Sequence, residues 1–562
     1  MRTAQMLGWT AAVAGALLAV GAPPALAEPF TVKTLRFATV TGPKDDVACD
    51  VVGDLYTPAS ATRANPAPAI LTTNGFGGSK DDQAAQARAY AARGYVVLSY
   101  SGLGFGGSQC KITLDDRDFD GKAGSQLVTF LGGGKKAVDG TTVDYVQLDA
   151  VGSDGRPHAH DPRVGMIGGS YGGQIQFAIA GIDPRVDTIV PIITWNDLSY
   201  SLAPNNTSLT RGVTYATPGV QKQGWVSLFF SVGIQQGLAN AAVDPRRNIG
   251  LCPNFDDRAC RAKAQMDATG APDADTIALA RHASVASFLD DIRIPTLLAQ
   301  GQADTLFNLQ ESVATYEGLK ARGVPVKLMW QSWGHSRSKP APGELDETRP
   351  ETTYQGRQFL AWFDHYLKDE PAAPALDFTF FRPWATYTGD ATPAYGRTAA
   401  YPVVAAPREL YLTGSDGLTA DRAAVTAGTA SFTTTAAGAP TSYTQTSALD
   451  QSQPVTEVPG SVVRFTGVPL AQDADVVGKV VEAAAPRLLT ATQCRSRRAF
   501  TVHVRKAPRA RVRETTVLVD GRRVASLPGL RHAVAPGRWR CVSRSRPFAG
   551  PAATRGDCVP GS

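Results

Sequence analysis

The sequence lacks most of what a membrane or metal protein would need. Past an N-terminal apolar run at 9–20 (WTAAVAGALLAV), no stretch reaches the roughly 18 apolar residues of a membrane-spanning helix, and that run is itself too short. No cysteine lies at the end of the run, the first being Cys49, so the reading of a lipid-anchored lipoprotein has no support. Only seven cysteines occur (Cys49, Cys110, Cys252, Cys260, Cys494, Cys541 and Cys558), and the odd count leaves at least one thiol unpaired or bonded between molecules. Cys252 and Cys260 share one polar loop (LCPNFDDRAC) and are the candidate disulfide. Their spacing fits no zinc template and no histidine lies near them, so no metal is assigned. Histidine is scarce as well, with seven in the chain, so few residues can serve as a general base near neutral pH.

What is present starts with a processing signal. Arg2, the apolar run and the small-x-small site Ala25-Leu26-Ala27 read as a signal peptide over 1–27, with a retained anchor as the alternative. The expected product is secreted, begins near Glu28 and has no membrane span; export also permits disulfides. A chain of 562 residues exceeds one hydrophobic core, so two to four domains are expected. The hydrophobic content of 43% with mixed charge indicates a folded chain. The net charge of +6 is unevenly spread. Residues 487–562 hold 17 Lys and Arg against 3 Asp and Glu, a net of +14, which leaves −8 on the rest. Such a segment could hold the protein to an anionic cell-surface polymer, or be only a solvated Arg-rich appendage. No specific nucleic-acid partner is expected.

Along the chain, 31–40 and 47–56 read as a strand pair. Strand and helix patterns then alternate, which is the mark of a mostly parallel sheet with helices on both faces. Strands are expected at 69–73 (AILTT), 95–100 (YVVLSY), 164–167, 186–193 and 295–299, with 326–330 closing the sheet. Helices are expected at 81–93 and at 352–367, an amphipathic segment carrying Phe359, Trp362, Phe363 and Tyr366. The rhythm stops between 198 and about 291, where an insertion would form a helical cap over the substrate pocket. The catalytic domain is thus placed at 28–370. From 371 to 486, short alternating segments such as 410–412 and 441–444, with a turn cluster at 414–417, indicate an all-β sandwich. A small basic β segment follows at 487–530, with an Asp-Gly hairpin turn after TTVLV. Residues 531–562 are expected to be irregular or disordered.

Gly168-Gly169-Ser170-Tyr171-Gly172 matches G-x-S-x-G between an apolar strand and a helical run. In that setting a strained strand-to-helix turn pushes a serine hydroxyl out of the sheet, as in the α/β-hydrolase fold. A glycine-rich turn with an incidental serine is the alternative. The fold predicts the order nucleophile, acid, histidine. His158 and His160 precede Ser170, His282 lies in the cap, His365 is mid-helix, and His503 and His532 are C-terminal. His335, in a Gly-His loop after VKLMWQSW, is left as the base. Asp304 ends the preceding strand and is positioned to orient the imidazole, the alternative being a loop aspartate that caps the next helix. Two oxyanion donors are needed. The backbone N–H of Tyr171 is one, and the loop Asn74-Gly75-Phe76-Gly77-Gly78 is expected to supply the other through Phe76 or Gly77. Trp195 and Asp197, in TWNDL after a strand end, are the candidate substrate-binding residues; Asp197 could hold a substrate amine, although a helix cap is the simpler role.

Asp116-x-Asp118-x-Asp120-Gly121 resembles the start of a calcium loop. Its twelfth position is Leu127 rather than Glu, so an acidic loop opening a helix is the better reading. No metal or organic cofactor is implied.

These pieces together resemble the Xaa-Pro dipeptidyl-peptidase, cocaine esterase and α-amino-acid ester hydrolase family. The matching parts are Asp54-Leu55-Tyr56-Thr57-Pro58, the elbow GGSYGG, GQADTLFN, WGH, Val468-Pro469-Leu470-Ala471 and Val476-Val477-Gly478. The resemblance covers roughly 31–480. It implies Ser170, Asp304 and His335 as a triad, the Tyr171 N–H in the oxyanion hole, a jelly-roll C-terminal domain, and a small ester, amide or peptide substrate. Two departures stand out. Members often carry a tyrosine hydroxyl as second oxyanion donor, where this chain has Phe76. The jelly-roll pattern also breaks off after Val480, where the basic segment begins.

Overall fold

The computed structural model describes residues 29–204, 213, 219–403, 409–414, 416–432, 449–452, 459–460, 462–470 and 477, and the backbone of strands at 500–501, 512–519, 522–527, 533–534 and 539–545. The expected signal peptide at 1–27 lies outside them, as do 441–444 and most of 471–499.

Two antiparallel strands open the chain, β1 (Phe30–Thr41) and β2 (Val47–Pro58), paired along their full length. β3 (Ala69–Thr73), β4 (Val96–Tyr100), β5 (Val164–Gly169), β6 (Thr188–Ile192), β7 (Thr296–Gly301) and β8 (Val326–Gln331) follow. β3 lies parallel to both β4 and β5, and each later strand is parallel to its predecessor. Every residue of β3, β4, β6, β7 and β8 is buried. That is why these strands read as mainly apolar runs rather than alternations: both faces are covered.

The sequence pattern closes the sheet at β8, but the sheet continues past it. Two more strands, β9 (Phe378–Phe381) and β10 (Tyr395–Thr398), extend it to ten, in the order β1-β2-β4-β3-β5-β6-β7-β8-β9-β10. Both come from residues that the pattern assigns to the β sandwich. FTFF carries no helix-scale signal, and only its parallel pairing with β8 ties it to this sheet.

The helices cover both faces. α1 (Ala84–Ala91), α2 (Lys122–Leu131), α3 (Tyr171–Ala180), α8 (Leu309–Ala321) and α9 (Tyr354–Lys368) pack on the strands. One core layer joins Phe37, Phe130, Phe177, Leu319 and Trp330. The opposite layer joins Tyr90, Tyr95, Trp362 and Phe363. Phe359, Trp362 and Phe363 of α9 are buried, and the Trp362 indole Nε1 donates to Thr188 Oγ1 on β6 at 2.7 Å. Among the described residues, the β6–β7 connection carries four α-helices: α4 (Leu198–Leu202), α5 (Gln223–Ala239), α6 (Asp257–Thr269) and α7 (Ala274–His282). Among the described residues, no helix is long and apolar enough to cross a membrane.

Two disulfides are present among the described cysteines. Cys252–Cys260 joins the candidate pair within the β6–β7 connection. Cys49–Cys110 ties β2 to the loop after β4.

The C-terminal stretch departs from expectation. β11 (Tyr411–Thr413) and β12 (Gly417–Thr419) form a short hairpin across the 414–417 turn. Further on, two antiparallel strands, β13 (Phe500–Thr501) and β16 (Ala533–Val534), make one pair. β14 (Val512–Val519) lies between β15 (Arg522–Leu527) and β17 (Trp539–Ser545) in a three-stranded sheet. The β14–β15 hairpin accords with the Asp-Gly turn signal. β17 corrects the expectation of an irregular tail, because an Arg- and Ser-rich strand (WRCVSRS) is recognisable only through the partner it pairs with. These strands do not establish a jelly roll.

Cys49 and Cys110 lie 61 residues apart, so their bond restricts a long loop of the unfolded chain. The double substitution Cys49→Ala/Cys110→Ala is expected to lower stability by about 2–4 kcal/mol. Chemical denaturation of the oxidised protein and the variant measures the difference.

Candidate active site

The site begins with a backbone constraint. Ser170, between β5 and α3, has φ 59° and ψ −119°, a conformation that a non-glycine residue holds only under tertiary restraint. The glycines around it are dictated by contact. A Cβ at Gly168 would lie 2.7 Å from the Gly172 carbonyl oxygen, and one at Gly172 would lie 2.5 Å from that of Thr73. Buried Gln176 on α3 locks the turn. Its Nε2 donates to the carbonyls of Gly168 at 3.1 Å and Gly172 at 2.9 Å, while its Oε1 accepts from Val190 N–H at 3.0 Å.

Two loops at the carboxyl ends of β7 and β8 complete the constellation. His335 Nε2 lies 2.7 Å from Ser170 Oγ, and His335 Nδ1 lies 2.7 Å from Asp304 Oδ2. A carboxylate only accepts, so Nδ1 carries the proton and Nε2 is free to accept from the serine hydroxyl. The Asp304 side chain is 0% exposed and that of His335 is 13% exposed. The other Asp304 oxygen accepts from the N–H groups of Leu306 at 3.0 Å and Phe307 at 2.8 Å. Asp304 thus caps its own loop as well as facing the imidazole. Gly334 lets the two loops meet, since a Cβ there would stand 2.8 Å from that of Asp304. The rings of Phe307 and Trp225 pack edge-on against the imidazole at 5.1 and 6.1 Å.

The loop after β3 passes beside the nucleophile. A Cβ at Gly75 would lie 3.9 Å from that of Ser170, so only backbone separates the two turns there. Phe76 turns its ring into a cluster with Phe105, Phe229 and Tyr171, at centroid distances of 5.1, 5.0 and 5.7 Å. Gly77, at φ +87°, offers its carbonyl to Gln236 Nε2 of α5 at 2.7 Å. Tyr171 is the first residue of α3, so its N–H has no acceptor within the helix.

Ser170 opens into a cavity of about 100 Å³ beneath helices α4–α7. Phe76, Trp195 and Phe307 line it from the sheet side. Of the two candidate substrate-binding residues, Trp195 is therefore in place, its indole Nε1 held by the Ala283 carbonyl at 2.9 Å. Asp197 does not line it and takes instead the simpler role open to it, the helix cap. It is fully buried outside the cavity lining, caps α4 by accepting from Ser199 and Tyr200 N–H, and pairs with Arg281 at 3.4 Å.

Four residues of the site were not indicated by sequence. Besides Gln176, they are Lys222, Trp225 and Glu311. Lys222 Nζ donates to the carbonyls of Thr305 at 2.6 Å and Leu306 at 2.9 Å, and burial pulls its pKa down to about 8. The Trp225 Nε1 donates to Thr305 Oγ1 at 3.1 Å. Both residues lie in the insertion, so the cap is fastened to the loop that carries Asp304. Glu311 on α8 accepts from the N–H groups of Asn196 and Asp197, and fixes the turn after β6. Lys222 and Glu311 act on backbone groups, and Trp225 on a side-chain hydroxyl, far away in the chain, so no local motif marks them.

The acidic loop opens a helical turn, as its sequence indicates. Asp116 accepts from Asp118 N–H ahead of α2. Asp116, Asp118 and His282 bring ligand atoms within 4.8 Å of one another, a set able to hold a cation. Here it is an ion-pair network: His282 Nε2 lies 3.0 Å from Asp116, and Arg258 lies 3.2 Å from its other oxygen. The network ties α6 and α7 to the catalytic domain. Deeper in, Asp115 and Asp120 are both buried against Tyr171 and Tyr100 in a small cavity.

The sheet order, with a serine elbow after β5 and an insertion after β6, defines an α/β-hydrolase. The model of the X-Pro dipeptidyl-peptidase (S15) family matches residues 49–337, more than half of the chain, and the protein belongs to that family. It is a hydrolase. No curated protein matches the sequence. Among solved structures, an esterase from Pyrococcus furiosus is similar at 14% identity and a TM-score of 0.34, covering 60% of this chain and 92% of its own. Acetyl xylan esterase 1 from Thermoanaerobacterium is similar at 17% identity and a TM-score of 0.32, covering 57% and 82%. The acylaminoacyl peptidase of Pyrococcus horikoshii is similar at 14% identity and a TM-score of 0.37, covering 62% of this chain and 43% of its own.

The buried acids give stability a definite pH dependence. Burial raises Asp120 and Glu311 to about 7, and raises Asp115 as well, with help from the neighbouring Asp120. The hydrogen bond to Asp116 raises His282. In every case the folded state holds its proton more tightly than the unfolded chain. The stabilisation is therefore full below the unfolded pKa values and is lost as pH rises through the folded ones. For Asp120 and Glu311 that window runs from about 4 to about 7. Thermal melts should fall by several degrees between pH 5.5 and pH 8.5, and Asp120→Asn should flatten that slope.

Proposed function

We propose that the protein is a secreted serine hydrolase that cleaves ester or amide bonds through an acyl-enzyme. The observation that carries this reading is the chain of two 2.7 Å contacts from Asp304 through His335 to Ser170. Ser170 Oγ attacks the substrate carbonyl while His335 Nε2 takes its proton, and buried Asp304 stabilises the imidazolium that forms. His335 then protonates the leaving group. Water, deprotonated by the same imidazole, releases the acyl group and restores Ser170. The developing oxyanion faces the Tyr171 N–H at the start of α3 and the backbone N–H groups of the 75–77 loop. Phe76 brings no hydroxyl, so this second donor is backbone rather than the tyrosine found in relatives.

The site is consistent with the family's peptidase chemistry in its nucleophile but favours an ester over an Xaa-Pro peptide. A dipeptidyl-peptidase must hold a free α-amine, and among the described residues no carboxylate lines the cavity. Residues 205–212 and 214–218, outside those residues, contain no Asp or Glu either. Export rests on the N-terminal signal and agrees with the disulfides. The basic stretch at 487–562 is proposed to hold the enzyme to an anionic cell-surface polymer.

Ser170→Ala should leave a folded protein whose turnover of p-nitrophenyl acetate falls by several orders of magnitude, with an unchanged melt. Retention of more than about a tenth of wild-type turnover would remove Ser170 from the mechanism.

A further inference from the structure

We infer that the cavity beneath the cap is an acyl-chain pocket, and that the preferred substrates are esters of medium-chain fatty acids or similarly apolar carboxylic acids. This rests on Ser170 acting as the nucleophile, because the cavity is defined by its opening at that side chain. The wall opposite the sheet comes from four helices: Leu202 on α4, Val226, Phe229 and Phe230 on α5, Met266 on α6, and Leu279 on α7. The charged residue among the described lining residues is Lys263, and its ammonium is already bonded to Asp267 and lies over the Phe230 ring.

Such a wall discriminates by chemistry. A peptide placed in it would bury N–H and C=O groups without partners, at a cost that each such group incurs separately. An alkyl chain leaves no polar atom unsatisfied and gains from every methylene removed from water. A bulky polar head, such as a sugar, meets the same objection as the peptide.

The pocket is also held open before substrate arrives. Phe230 stacks on Phe255 with centroids 4.2 Å apart at 15°, and Phe255 sits inside the loop closed by Cys252–Cys260. Behind that loop, Arg247 is fully buried, with its Nε donating to Asn254 Oδ1 at 2.8 Å and its Nη1 to the Gly106 carbonyl at 3.2 Å. A disulfide and a buried guanidinium therefore brace the aromatic wall against collapse. An apolar ligand need not reorganise the cap in order to enter.

The test is a series of p-nitrophenyl esters from acetyl through butanoyl and octanoyl to dodecanoyl, with Xaa-Pro p-nitroanilides beside them. The expected result is that kcat/KM rises about fourfold per added methylene over the early members, the value of one buried CH2, and levels off once the pocket is full. Ala262→Trp places an indole in the α6 wall, and should lower the octanoyl-to-acetyl ratio by at least about tenfold. If that variant fails to fold, the wild-type series alone decides. A flat or falling series, with acetyl ester still cleaved in a Ser170-dependent way, overturns the pocket and leaves the nucleophile standing. Preference for Xaa-Pro anilides over octanoyl ester does the same. Absence of Ser170-dependent cleavage of every ester and anilide overturns both.

Discussion

Everything at the site depends on one strained turn. Ser170 can hold φ 59° only because the strand before it and the helix after it are both fixed. β5 is pinned between β3 and β6, and α3 is buried along its whole length. The strain is thus borne by the largest cohesive part of the molecule, and it presents one hydroxyl outward at the carboxyl end of the sheet. The glycines are consequences of the same crowding. Gly168 and Gly172 stand where backbone passes within 3 Å of where a Cβ would be.

A second level of organisation couples the cap to the reacting groups. Lys222 and Trp225, at the start of α5, bind the backbone and side chain of Thr305, next to Asp304. α5 then continues into the apolar wall through Val226, Phe229 and Phe230. One helix therefore braces the acid loop at its first turn and shapes the substrate cavity over its next two. A cap held in this way is part of the active site rather than an accessory to it, and a change in cap packing will be felt at His335 through the Trp225 ring.

How much of this was legible in the sequence depends on the range of the interaction that fixes each feature. β3, β4 and β8 are read from their own apolar runs, and the elbow from its own glycines, because local crowding sets both. The order of Ser170, Asp304 and His335 is legible because the fold fixes the order of the strands that carry them. Features settled by distant partners are not legible. FTFF becomes a sheet strand only by pairing with β8, and WRCVSRS only by pairing with β14. Asp197 shows the same limit in reverse. From sequence it offers a carboxylate near a strand end, yet its burial under α4 and its contact with Arg281 come from a chain segment some eighty residues on. Lys222 and Glu311 carry no motif, because a side chain that satisfies remote backbone groups can sit in any local sequence.

The central claim is that Ser170 becomes covalently acylated. The most direct measurement is to incubate the protein with a fluorophosphonate, determine the intact mass, and map the modified residue by peptide mass spectrometry. A single adduct on the peptide containing Ser170, abolished by His335→Ala, is the predicted result. Absence of any adduct in the folded protein, or an adduct on a different residue, would contradict it.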